Sequence, residues 1–116
     1  MKDFLLLIRT EGDVWMSLSP KELQDQVEQG TAYIGKLIKE GKLKSAAPLD
    51  KSSRIVTGDG GVMKDSPFTD TQEVIAGYFH IVAKDLQEAV EIAKANPIFR
   101  DIRTRIEVHM MKGYRV

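Results

Sequence analysis

The chain contains no cysteine, which excludes disulfides, thiolate nucleophiles and cysteine-ligated metal sites. It also lacks an excess of either charge: Lys and Arg together number 17, as do Asp and Glu. With no net field, and no basic run interleaved with aromatics, neither nucleic acid nor a membrane is an expected partner. Long hydrophobic runs are missing too. Phe4 to Ile8 is an apolar run of five residues, against the ~20 that a membrane span needs. It follows an acidic residue and meets Arg9 without a small-residue cleavage site, so it does not read as a secretion signal. A cytoplasmic protein is the expectation.

What is present fits one ordinary domain covering residues 1–116, with 42% apolar and 29% charged residues. Phe4–Ile8 reads as a strand buried on both faces. After a loop over 9–18 that holds the only tryptophan, Trp15, a helix is expected from about 20 to 40. Ser19 caps it, Pro20 takes its first position, Glu22 completes a capping box and Gly41 stops it. Its apolar stripe is Leu23, Val27, Ile34, Leu37 and Ile38, interrupted by Gly30 and Gly35. A strand over 43–47 follows, then a hairpin with strands at 54–57 and 62–64 around Gly58-Asp59-Gly60-Gly61. A polar loop is expected from Asp65 to Glu73, then a strong strand over 74–83. Asp85 caps a second helix that ends at Asn96-Pro97, and 105–111 is the last strand. Without the hairpin the order is βαβ–βαβ, which predicts an α+β, ferredoxin-like fold: an antiparallel sheet with both helices on one face.

Alternation along the strands then divides the sheet into two faces. Ile75, Gly77, Phe79 and Ile81, with Ile106, Val108 and Met110, are expected to meet the helices. The opposite face receives Val74, Ala76, Tyr78, His80 and Val82, with Arg105, Glu107 and His109. Phe4, Leu6 and Ile8 are assigned to that second face too, whose burial would need a second copy of the chain or another partner. A homodimer with a cavity along this mixed face is the expectation.

Lys64-Asp65-Ser66-Pro67-Phe68, running through Thr71-Gln72-Glu73 into Gly77-Tyr78, resembles the signature of the YCII-related, DGPF-type proteins. The opening Leu-Leu-Leu-Ile strand, the Trp15 loop before Leu18-Ser19-Pro20, the Glu-Gly-Lys-Leu helix exit and Asp85-Leu86-Gln87-Glu88-Ala89 fall in the same order. The resemblance implies a subunit of the dimeric α/β-barrel type with a pocket between sheet and loops. It also implies a genomic association with sigma factors. The related proteins it implies include a dehydrochlorinase-like enzyme and carry a His–Asp pair whose histidine lies in the first helix. Two departures stand out. Ser66 replaces the glycine of the Asp-Gly-Pro-Phe turn, and the first helix has no histidine, Gly30 standing near that position.

The candidate catalytic residues are Asp65, His80 and His109. Asp65 reads either as a general base or ligand anchor, or as an Asx-type cap on the turn before Pro67, the second slightly ahead. The histidines could pair with Asp65 or Glu107, but as isolated residues on mixed strand faces they read first as hydrogen-bonded interface groups. Ligand-binding candidates are Arg9, Trp15, Asp65, Ser66, Phe68 and Tyr78. Arg9 suits an anionic ligand or a pairing with Asp65, while Trp15 and Tyr78 suit the walls of an organic-ligand site. No closely spaced ligand motif predicts a metal, and the glycines at 58–61 sit in a hairpin rather than before a helix, so no cofactor is expected. A dimeric small-molecule-binding or regulatory protein is the leading expectation. The alternatives are a lyase or dehydrochlorinase-like enzyme using an Asp–His pair, and a module that engages a sigma factor.

Overall fold

All the predicted strands form, and four of them join one antiparallel sheet. In the computed structural model, which describes residues 1–12, 14–50, 52–67 and 74–113, the elements run as follows. β1 (Lys2–Thr10) leads through a 3-10 turn (Val14–Ser17) to α1 (Pro20–Lys39) and β2 (Leu43–Pro48). A hairpin of β3 (Arg54–Asp59) and β4 (Val62–Pro67) precedes β5 (Val74–Ala83), α2 (Leu86–Lys94), the single turn α3 (Ile98–Asp101) and β6 (Thr104–Met110). The sheet order is β2-β5-β1-β6, with β3 and β4 forming a separate two-stranded sheet. Leaving out the hairpin strands, this is the ferredoxin-like order, with β1 at the centre between β5 and β6.

Local chemistry sets the element ends. Ser19 Oγ accepts from the Glu22 amide at 3.1 Å, and Glu22 Oε1 accepts from the Ser19 amide at 2.9 Å, completing the capping box of α1. Gly41 leaves the helix at φ +70°, and the Lys42 amide donates back to Leu37 O. In the hairpin Gly60 and Gly61 both have positive φ, as a two-residue type I′ turn requires. The loop expected to start at Asp65 begins later, because Asp65, Ser66 and Pro67 pair with β3 and extend β4. The rest of that loop, including Phe68, lies outside the described residues.

The register corrects the assignment of faces. Phe4 pairs with Ile81, Leu6 with Phe79 and Ile8 with Gly77, so Phe4, Leu6 and Ile8 lie on the helix-covered face and are buried. The outer face of β1 carries Asp3, Leu5, Leu7 and Arg9 instead. A β-bulge then shifts the pairing between Ile8 and Arg9, skipping Ala76. Below it the alternation of β5 is inverted: Ala76 packs towards the helices, while Ile75 pairs with Arg9 and turns outwards. Ile106, Val108 and Met110 share the covered face with Ile8, Leu6 and Phe4, as alternation predicts.

The main core joins Phe4, Leu6, Leu37, Ile81, Ala83, Ala89, Ile92 and Ala93, and a second cluster joins Ile8, Ile98 and Ile102. Burial of each large side chain contributes about 1.5–3 kcal/mol. The stripe expected on α1 is only partly inward, since Leu23, Val27 and Ile38 are exposed. Two polar contacts rotate the helix: Tyr33 Oη donates to Ile92 O at 2.6 Å, and Gln26 Nε2 to Pro97 O at 3.0 Å. Burial raises the Tyr33 hydroxyl pKa to about 12. Among the described residues no helix is long and apolar enough to cross a membrane.

Candidate functional site

The inward side of α1 presents Gln26, Gly30 and Ile34 at four-residue spacing, hence on one face of the helix. At Gly30 a Cβ atom would meet nothing within 4 Å. Small residues also stand opposite, at Ala46, Ala76 and Gly77. Gly77 is fixed by packing, since a Cβ there would come within 3.0 Å of Ala47 O. Large side chains at these positions would have fused the two cores. Small ones leave a cleft of about 290 Å³ between α1 and the sheet, walled by Trp15, Phe79 and Pro97.

The described lining of this cleft contains no ionisable side chain. Its polar groups are already structural. Gln26, only 4% exposed, donates to Pro97 O and, at 2.9 Å, to Asp101 Oδ2, tying α1 to α3. The Gln26 bond, then that from Arg100, holds the Asp101 carboxyl below its ordinary value. Asn96 Oδ1 accepts from the Ile98 amide. A larger groove of about 530 Å³ lies between α1 and α2, but charge lines it, with Lys42 within 4 Å of both Glu40 and Glu88.

The candidate histidines and Arg9 lie elsewhere, on the open face of the sheet. Leu5 pairs with His80 on one side and His109 on the other. His80 Nε2 donates to Asp3 Oδ1 at 2.9 Å, and Lys44 Nζ reaches the same oxygen at 2.7 Å. His109 Nε2 donates to Glu107 Oε1 at 3.0 Å, while Arg9 Nε holds Glu107 Oε2 at 2.7 Å. Lys44 first, then His80, lowers the pKa of Asp3, and His109 and Arg9 lower that of Glu107. Tyr78, between Leu7 and Ala47, is half-buried on this face.

Of the described residues expected at the site, Trp15 alone borders the cleft. Asp65 instead faces Arg54 at 3.2 Å on the exposed hairpin, more than half exposed. The pairing of Arg9 with Asp65 is therefore replaced by Arg9 with Glu107. Ser66 stands in β4 opposite Ile55. The sequence reading missed Asp3 as the partner of His80, although the alternation Asp3-Leu5-Leu7-Arg9 already places it on one face. It also missed Gln26, whose burial contradicts its polarity. Among the described residues no group of His, Asp and Glu is placed to hold a metal ion.

A four-stranded antiparallel sheet in this order, with its helices on one side, defines a ferredoxin-like α+β protein. The model of the YCII-related domain matches residues 3–112, and the chain belongs to that family. No curated protein matches it. Gly30 opens onto the cleft.

Proposed function

We propose that this YCII-family protein is a dimeric small-molecule-binding protein whose ligand site is the cleft between α1 and the sheet. The observation that carries this reading is the space itself: about 290 Å³, kept open by Gly30 and the small residues facing it. Ligand sites are mostly apolar concavities with a few polar groups, near this size at their lower end. The second copy would cover Leu5, Leu7 and Tyr78 on the open face, whose apolar centre is ringed by charged pairs. Binding to the native state raises its stability, so a thermal-shift screen with small metabolites tests the first part. At least one compound is expected to raise the melting temperature and to change Trp15 fluorescence. No shift across apolar and polar compounds alike would contradict it. Sedimentation equilibrium tests the second part, with twice the 13.0 kDa chain mass expected.

One observation favours the lyase reading, the Asp3–His80 contact. A carboxylate that orients an imidazole is the arrangement a general base uses. This chemistry would occur on the open face, using Asp3 in place of Asp65. Loss of turnover in both Asp3→Asn and His80→Gln, with folding retained, would support it.

A further inference from the structure

The lining of the cleft restricts what it can hold more narrowly than its size does. We infer that its ligand is an uncharged, predominantly apolar molecule of about two rings, and that Gly30 sets the size limit; this rests on the cleft being the ligand site. A cavity of roughly 150 Å³ lined by apolar side chains holds benzene, and this one measures about 290 Å³. Trp15 and Phe79 offer aromatic surfaces to a flat guest.

The described residues around the space disfavour a charged guest. No Lys, Arg, His, Asp or Glu belongs to its described lining, so an ionised guest would lose its hydration without gaining a counter-charge. Both Gln26 side-chain N–H groups are already used, by Pro97 O and by Asp101 Oδ2. What Gln26 retains for a guest is its carbonyl oxygen, an acceptor. That oxygen suits a hydroxyl or amide N–H and repels a carboxylate. A cation gains little from Asp101, because Arg100 Nη2 already lies 3.1 Å from the same oxygen that Gln26 contacts.

The test uses three naphthalene probes of one shape: 2-naphthamide, 2-naphthoate and 2-naphthylmethylammonium. Each is titrated calorimetrically into the full chain and into Gly30→Ala, Gly30→Leu and Gly30→Phe. Gly30 lies inside a helix with open space before it, so these variants should keep the far-UV circular dichroism of the parent and melt no lower than it does. The expected result is that the amide binds and both charged probes bind at least about tenfold more weakly. Amide affinity should fall stepwise from Ala to Leu to Phe. A charged probe binding as tightly as the amide would overturn the ligand class; if Gly30→Phe still abolished that binding, the cleft would remain the site. Amide binding that survives in a folded Gly30→Phe, or no binding by any probe, would overturn the cleft reading as well. Should Gly30→Phe fail to fold, Gly30→Leu makes the same decision with a smaller side chain.

Discussion

The two faces of the main sheet are built from the same strands but do different physical work. On the covered face Phe4, Leu6 and Ile81 are buried, small residues leave a cleft, and the described lining of the cleft is without titratable groups. On the open face the same strands carry Asp3, His80, Glu107 and His109, arranged as two carboxylate–imidazole pairs with Leu5 between them. Open space and the paired titratable groups are thus separated by the thickness of a sheet. A small guest in the cleft would be bound without being acted on by these histidines. Chemistry at the histidines would need a second molecule to enclose them.

The contrast makes graded predictions. Phe4→Ala on the covered face is expected to destabilise the fold by about 3–5 kcal/mol in urea unfolding. Leu5→Ala, one residue along, should cost well below half as much in the monomer, and more only where a second copy covers it. Equal effects would erase the distinction between faces. Next in size, Gln26→Ala removes two hydrogen bonds from a buried site and leaves Pro97 O and Asp101 without that partner, an expected loss of about 1–3 kcal/mol. A loss near zero would mean that α1 is not held by this amide.

Acid affects the open face through its carboxylates. Asp3 has a folded pKa below its ordinary 3.8, so folding favours its ionised form. That stabilisation is fully present above about pH 4 and is lost as pH falls through the folded value. Melting temperatures between pH 6 and pH 2.5 should show the loss, and Asp3→Asn should flatten it and reduce its sensitivity to salt. The smallest effect is expected at Gly30→Ala, a gain of about 0.5–1 kcal/mol from lower unfolded-state entropy and higher helix propensity.

Much of the fold was legible because its signals are local. Ser19 with Glu22, Gly41, Gly60-Gly61 and Asp85 each specify a turn or cap through their own backbone demands, and all four do so in the structure. The faces of β1 were not legible, because Phe4-Leu5-Leu6-Leu7-Ile8 has no alternation to read and only pairing with Ile81, Phe79 and Gly77 decides the matter. The bulge at Ala76 likewise leaves no mark in composition, yet it exchanges the sides of Ile75 and Ala76. For the site, Trp15 was legible as a unique aromatic in a loop. The cleft was not, since it is made by side chains that are small on three separate elements. Asp65 drew attention as part of a motif, but its pairing in β4 places it beside Arg54.

The central claim is that the ligand site lies on the covered face, and nuclear magnetic resonance shift mapping with 2-naphthamide tests it most directly. The account predicts shifts at the Trp15 indole and at the Gly30, Ile34 and Ala76 amides, with His80, His109 and Tyr78 unmoved. Shifts confined to His80, His109 and Tyr78 would contradict it, and would move the site to the open face.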